Sequence, residues 1–237
     1  MNVIWEVGCC EAIIDFSSTT FSLQAKDSGH VNSLALHLNP NAFDHFHCDQ
    51  NISIGIAVNS LFKILECASV TIKGDNSIDT IFFIIKGPRG NKIVHADLKL
   101  LKMEHKRINI HKGAYKVVVE MPSEHFIRVC MILKGFSDTV TISVANKRVK
   151  FSTKVDNGSA DANLQKYINT FDVPEETVFV QTKLTDPVSF TFSLRHFSSF
   201  MGATSLSNKV TIRMSSGLPV MLEYMIEHMA NIRFYLR

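Results

Sequence analysis

The segment DHFHCDQ, residues 44–50, holds the densest group of side chains suited to binding a metal ion. Successive side chains alternate across a strand, so an extended segment would place His45 and His47 on one face, with Cys48 directly after them. Protein zinc sites need a second pair of ligands at a typical spacing, and this segment has none. The sequence therefore predicts no metal site here and no cofactor.

Catalytic motifs are the next candidates for chemistry. Ten histidines allow a Ser-His-Asp set to be assembled from many parts of the chain. None of the local contexts that position such groups is present, whether GxSxG, HExxH, a P-loop or GxGxxG. We therefore expect no catalytic residues and no enzyme activity. A metal-dependent hydrolase remains the remote alternative from another functional class.

Composition describes an ordinary globular protein. The 237 residues are 46% hydrophobic and 20% charged, which suits one large β domain or two smaller domains. The odd number of cysteines and the lack of any CxxC pair predict free intracellular thiols rather than disulfides. These are Cys9, Cys10, Cys48, Cys67 and Cys130. No long apolar run or signal peptide is present, which predicts a cytoplasmic or nuclear protein without membrane contact.

A long-period repeat organises the chain. Val-Thr-Ile occurs at Val70, Val140 and Val210, a regular spacing of 70 residues. Each copy follows an amphipathic segment with apolar residues three and four apart, which predicts a short helix. The segments are NSLFKILECAS, SEHFIRVCMILKG and FSLRHFSSFMGATS.

A turn and a second strand follow each Val-Thr-Ile, so the repeating unit is helix, strand, turn, strand. A fourth copy, AIIDF-SSTT-FSLQAKD, opens the chain with its helix missing or degenerate. Four units predict two domains of an α+β, β-rich fold, joined by the aperiodic segment KMEHKRINIHKGA. Further predicted strands cover residues 31–38, 52–58, 92–101, 115–120, 178–183 and 188–192.

Collinear motifs along almost the whole chain resemble the proliferating cell nuclear antigen family. They are LQAKDSGHV, CDQNISIGI, NSLFKILECA, MPSEHF, VKFS, DPVSFTFSLRHF and LEYMIEHMANIRFYL. The resemblance implies two similar DNA-clamp domains, with sheets outside and helices lining the inner face, assembled head to tail into a ring. It places the amino-terminal domain at 1–100, the interdomain connector at 101–116 and the carboxyl-terminal domain at 117–237.

The family's function then implies a nuclear DNA sliding clamp, a polymerase processivity factor for replication and repair. Its partners would be double-stranded DNA without sequence preference, DNA polymerase, other proteins with a clamp-binding motif, and the clamp loader. A homotrimer is expected. The alternatives are a subunit of a checkpoint-type heterotrimer and a degenerate clamp paralogue that acts as an interaction module.

By the same resemblance, four cations take the positions of the family's channel-facing residues. They are Lys63, Lys92, Arg128 and Arg195. Such residues neutralise phosphates without reading bases, although a solvated surface cation is the simpler interpretation of each. Glu66, Met131 and Gly202 replace cations of the family, and Lys134 compensates in part. We therefore expect weakened DNA contact.

The family also docks partner peptides beside the connector through apolar anchors. The matching residues here are His30, Val31, Ile108, Ile110, Tyr115, Pro219, Tyr235 and Leu236. Core or connector packing is the simpler interpretation of these residues. Lys26 replaces an apolar floor residue and predicts a preference for peptides with an acidic residue, while the basic connector predicts a different partner set.

Ring closure needs two sheet edges that pair between subunits. The resemblance assigns them to residues 92–101 and 159–167. Ala96 stands where the family often has an interface aromatic residue, a loss of roughly 2 to 4 kcal/mol per contact. A weakened trimer or a mixed ring is expected.

Overall fold

A computed structural model of the chain describes residues 9–27, 29, 32–65, 69–74, 79–86, 93–101, 115–145, 148–153, 179–182, 188–195 and 197–236. The chain divides into two compact units, Met1–Asn109 and Ile110–Arg237. The division falls within the segment 101–116 that is proposed as the connector. Residues 102–114 of that segment lie outside the described residues.

The first unit contains seven strands and one α-helix among its described residues. They are β1 (Glu11–Phe16), β2 (Phe21–Lys26), β3 (Ser33–Leu38), β4 (Ile52–Ala57), α1 (Val58–Leu65), β5 (Ser69–Lys73), β6 (Thr80–Lys86) and β7 (Ile93–Lys99). The strands form two antiparallel arrays, β3-β2-β1-β4 and β5-β6-β7. Ile14 pairs with Leu23 on one side and Ile54 on the other, so alternate residues of neighbouring strands build one apolar face.

The second unit follows the same plan with one more strand and one more α-helix among its described residues. Its described elements are β8 (Val117–Pro122), α2 (Ser123–Lys134), β9 (Thr139–Ala145), β10 (Arg148–Ser152), β11 (Phe179–Thr182), β12 (Val188–Ser193), α3 (Phe197–Thr204), β13 (Lys209–Met214), β14 (Val220–Ile226) and β15 (Ala230–Leu236). These strands pair in the orders β11-β8-β13-β14-β15 and β10-β9-β12, antiparallel throughout.

Helix α2 packs its apolar side on the second unit's core. Phe126, Val129, Cys130 and Leu133 are buried and recur at spacings of three and four, as on one side of an α-helix. The Phe126 ring lies 6.2 Å from the Phe151 ring of β10, and α2 also contacts β9, β13 and α3. Burial of this stripe holds the helix against the sheet and leaves its opposite side in solvent.

The predicted repeat is confirmed. Each Val-Thr-Ile lies in a strand, namely β5, β9 or β13, that follows a helix or its turn and pairs with the next strand through a hairpin. The opening copy forms the β1–β2 hairpin, where the amide of Thr20 donates to Ser17 Oγ at 3.0 Å. The fold is therefore α+β and β-rich, as the repeat predicted.

One detail of the sequence interpretation is wrong. The third helical segment was placed from Phe192, but Phe192 and Ser193 belong to β12 and α3 begins at Phe197. Phe192 is buried opposite Val140, so strand pairing prevails over the helical spacing. The segment 44–50 lies outside the strands, and His47 Nε2 lies 2.9 Å from Asp49 Oδ1 within it.

The remaining strand predictions agree where the structure describes them. The segment 92–101 forms β7, which covers Ile93–Lys99, and the segment 178–183 forms β11. The proposed edge 159–167 lies outside the described residues. Across the part of the chain that is described, no helix combines the length and apolar character needed to cross a membrane.

Candidate functional site

The solvent side of α2 carries a mixed stripe of charge. Glu124, Arg128, Met131 and Lys134 are exposed and follow one another at spacings of four, three and three. Arg128 Nη2 lies 3.0 Å from Glu124 Oε1, an ion pair between neighbouring turns of the helix. The stripe therefore offers cations to a polyanion, although Glu124 offsets part of the charge of Arg128.

Two of the other predicted DNA-binding cations are exposed. Lys63 is exposed in the last turn of α1. Arg195 is exposed just before α3, and its backbone amide donates to Ser193 Oγ at 3.1 Å. α2, which carries Arg128, packs against α3, and Arg195 precedes the first residue of α3, Phe197. Lys92 lies outside the described residues.

Thioether side chains occupy part of the same helix pair. Met131 on α2 is 54% exposed and Met201 on α3 is 45% exposed. Gly202 follows Met201 without adding a charge, while Glu66 lies outside the described residues. Some exposed positions of the helix pair α2–α3 are therefore occupied by uncharged methionines instead of cations.

His125 is buried within α2, one turn before Arg128. Within the described residues its Nε2 atom has no hydrogen-bond partner. Burial, followed by the nearby Arg128 charge, lowers the pKa of His125 below its usual value of 6.5. The neutral imidazole is therefore the form that the fold accepts.

We expect the free energy of unfolding to fall as the pH is lowered below about 6.5. The unfolded chain then binds the His125 proton more readily than the folded chain, so acid favours unfolding. Urea titrations at pH 7.5 and pH 5.0 test this, and His125→Phe should show a smaller acid-induced drop in midpoint than wild type. His95→Gln, at an exposed position of β7, is the matched control and should follow wild type. An identical drop in all three proteins contradicts the assignment.

Half of the predicted partner-peptide residues are described, and they lie around the start of β14. The Tyr115 hydroxyl donates to the Pro219 carbonyl at 3.3 Å. Tyr235 and Leu236 are buried in β15, opposite Met221 and Val220. His30, Val31, Ile108 and Ile110 lie outside the described residues. Tyr115, Pro219, Tyr235 and Leu236 thus form one apolar wall that also carries the two tyrosine hydroxyls.

The electrostatic surroundings keep Tyr115 protonated. Burial, together with the nearby Tyr235 hydroxyl, raises the pKa of Tyr115 to about 12, against the opposing effect of Arg213 and Arg233. The phenol therefore remains a hydrogen-bond donor at neutral pH. Its bond to the Pro219 carbonyl ties the segment before β8 to the turn before β14.

A charged cluster beside this wall was missed in the sequence. Glu223 is buried on β14 and accepts from Arg213 Nη2 at 3.1 Å and from Arg233 Nε at 2.7 Å. The two arginines come from the flanking strands β13 and β15, so one carboxylate links three strands. In the sequence, each of the three charged residues stands between two hydrophobic residues of its strand, which is the one sign of a buried ion pair. Their contact depends on the strand register, which the sequence does not reveal.

Metal-binding residues do not converge in the described part of the chain. No group of three or more His, Cys, Asp or Glu side chains is arranged to hold an ion there. In the segment 44–50, Cys48 Sγ instead donates to the Gln50 carbonyl at 3.0 Å.

Comparison with family models covers both units. The model for the proliferating cell nuclear antigen N-terminal domain matches residues 6–107. The model for the C-terminal domain of the same family matches residues 109–237. The two matches are consecutive, follow the order of the domains, and together span nearly the whole sequence. The chain therefore belongs to the proliferating cell nuclear antigen family, whose fold is a non-enzymatic sliding clamp.

Proposed function

We propose that this chain is a subunit of a ring that encloses duplex DNA and keeps replication and repair proteins on it. The consecutive match to both domain models carries the proposal. A ring of this kind holds DNA by topology, so its contacts need only be weak and independent of sequence. We place the protein in the nucleus with a DNA polymerase and a clamp loader among its partners.

The exposed strand β7 supports ring assembly. Ile93 and Val94 on this strand are 57% and 54% exposed, which is costly for two adjacent aliphatic residues in a free subunit. β7 pairs with β6 along one edge, and its other edge has no strand partner among the described residues. Pairing with a neighbouring subunit would cover both the edge and these side chains.

We expect purified protein to form a trimer or a weak equilibrium between monomer and trimer. Sedimentation equilibrium across the micromolar range should show a mass that approaches three times the chain mass of 26.6 kDa. Val94→Lys should shift the equilibrium to monomer, because it places a charge at the proposed contact. Lys73→Glu, an exposed change on β5, is the control and should leave the mass unchanged. A strictly monomeric wild type excludes the homotrimer, and a trimer formed only with a second clamp chain supports the checkpoint-type alternative.

The phosphate contacts are proposed for Lys63, Lys92, Arg128 and Arg195. Three of these are exposed on or beside helices in the described part of the chain. Lysine and arginine neutralise phosphate charge and release counterions, which gives affinity without base recognition. The exposed thioethers of Met131 and Met201 among these cations predict a shallow dependence on salt.

Partner peptides are proposed to dock on the wall formed by Tyr115, Pro219, Tyr235 and Leu236. The observed Tyr115 to Pro219 hydrogen bond and the partial exposure of both residues support this surface. An aromatic or aliphatic plug from a peptide would extend the apolar contact there. The predicted residues His30, Val31, Ile108 and Ile110 complete the proposed socket.

Truncating the socket should weaken peptide binding by about thirtyfold or more, since one buried anchor is typically worth about 2 kcal/mol. The variant is Ile110→Ala combined with Leu236→Ala, titrated with synthetic peptides that carry an apolar and aromatic plug. Ile132→Ala with Leu206→Ala removes one isoleucine and one leucine outside the socket and should bind like wild type. Thermal unfolding of each protein separates loss of the socket from loss of the fold. Equal affinities for both double variants remove the socket from the proposal.

A further inference from the structure

A cleft of about 680 Å³ opens beside β12 in the second unit. Residues 188–191 form one wall, while residues 215–220 and Leu236 form the other. Successive side chains of a strand point to opposite faces, so a wall of consecutive residues is the edge of a strand rather than one face. The cleft therefore runs along the edge of β12.

That edge has no strand partner within the described residues. β12 pairs with β9 on one side, from Val188 opposite Val144 to Ser193 opposite Thr139. It is the last strand of the array β10-β9-β12. An edge strand presents backbone donors and acceptors that a further extended chain can satisfy.

Two hydroxyl pairs indicate which backbone groups face the cleft. The hydroxyls of Thr141 and Thr191 lie 2.7 Å apart, and those of Ser143 and Ser189 lie 2.7 Å apart. Side chains approach most closely in the non-hydrogen-bonded pairs of an antiparallel ladder, and in those pairs the amide and carbonyl point away from the partner strand. The N–H and C=O groups of Ser189 and Thr191 therefore point towards the cleft.

The first unit shows this kind of edge occupied. β4 pairs with β1 as β12 pairs with β9, and each strand leads into a helix. Aligning ISIGIA with VSFTFS places Gly55 at the position of Thr191. The Gly55 carbonyl accepts a hydrogen bond from the Leu101 amide at 2.9 Å, in an antiparallel bridge. A single bridge, from the chain that follows β7 in the same unit, thus occupies the outer edge of the equivalent strand.

The lining of the cleft indicates the chemistry of its occupant. Phe190, Leu218, Val220 and Leu236 supply apolar surface, and Ser215 and Ser216 supply hydroxyls. None of the described lining residues is charged. Such a surface is unsuited to phosphate and suits an uncharged backbone with aliphatic side chains. Gly217, at φ +76°, shapes the turn that closes the opposite wall.

We propose that the edge of β12 binds an extended peptide segment of a partner protein as an added antiparallel strand, with an aliphatic side chain in the cleft. Backbone pairing at Ser189 and Thr191 supplies the main contacts, and the apolar wall selects the side chain. The cleft shares Pro219 and Leu236 with the proposed socket, so this inference deepens the proposed docking function and rests on it in part.

The test uses octapeptides selected from a random phage-displayed library on the full chain, then synthesised with a fluorescent label. Thr191→Pro removes the amide that faces the cleft but not a bond to β9, so the fold is retained. We expect this variant to weaken binding of the edge-binding peptides about tenfold, while Thr191→Val stays within about twofold of wild type. Each peptide amide is N-methylated in turn. Methylation should abolish binding at every second amide, where the N–H pairs with β12, and should be tolerated at the amides between them.

Each result decides between the two proposals. If no selected peptide is sensitive to Thr191→Pro, or if N-methylation is tolerated equally at all positions, strand addition at β12 is overturned. Socket peptides provide the second arm, because Ile110 is proposed for the socket and is not a residue of β12. If peptide binding is unaffected by Ile110→Ala but is weakened by Thr191→Pro, the socket is rejected and strand addition at β12 is supported. Circular dichroism and thermal unfolding confirm that each variant is folded.

Discussion

Replacing the four proposed DNA-binding cations by alanine should abolish loading of the clamp onto circular DNA and therefore its retention there. The variant combines Lys63→Ala, Lys92→Ala, Arg128→Ala and Arg195→Ala. Each cation that neutralises a phosphate contributes about one unit to the slope of log affinity against log salt, so four contribute about four units. Over a fourfold rise in salt, that difference amounts to a factor of more than about a hundred.

The measurement loads labelled clamp onto nicked plasmid with a clamp loader and follows the fraction retained after gel filtration at 50 to 200 mM salt. The matched control removes four exposed strand cations by Lys73→Ala, Lys86→Ala, Arg148→Ala and Lys209→Ala. It changes the net charge equally and should be retained like wild type. Equal losses of retention in both quadruple variants would mean that net charge governs binding. Full retention of the variant that lacks Lys63, Lys92, Arg128 and Arg195 would mean that DNA contacts another face.

Removing the Glu223 carboxylate should lower the free energy of unfolding by about 2 to 3 kcal/mol. Breaking a buried ion pair typically costs about 3 to 5 kcal/mol because an unpaired charge stays behind. The side chains of Arg213 and Arg233 are 36% and 31% exposed, so solvent shields the charges that Glu223→Gln leaves. The expected loss of about 2 to 3 kcal/mol is smaller than the typical value because of this screening by solvent.

Urea unfolding of Glu223→Gln measures this loss. Glu124→Gln is the matched control because it breaks an exposed Glu–Arg pair, and it should cost less than about 0.5 kcal/mol. A triple variant, Glu223→Leu with Arg213→Met and Arg233→Met, should recover most of the lost stability, since no charge remains buried. A triple variant as unstable as Glu223→Gln would show that packing at Glu223, rather than charge, is responsible.

Sequence reasoning succeeded where the local pattern and the tertiary burial agree. Phe126, Val129, Cys130 and Leu133 repeat at helical spacing and are buried together, so the predicted segment ends only one residue beyond α2. The segment around Phe192 was harder, because its apolar residues fit both a helical spacing and a strand alternation. Pairing of Phe192 with Val140 decides for the strand, and that partner is 52 residues away in the sequence.

The sites divide in the same way. Residues such as Arg128 and Tyr115 were assigned through family resemblance, and the structure adds the contacts that Arg128 makes with Glu124 and Tyr115 with Pro219. The Glu223 cluster and the cleft beside β12 could not be predicted, because each depends on which strands are neighbours and in what register. Composition and periodicity do not determine that order.

The exposed thioethers of Met131 and Met201 also affect how fast an enclosing ring would slide along DNA. Each step past a phosphate requires cation contacts to break and form again, so every cation adds to the friction of sliding. A thioether makes no such contact, so Met131 and Met201 themselves add no such friction. A ring built from this chain should have a higher one-dimensional diffusion coefficient than a variant with lysine at both positions.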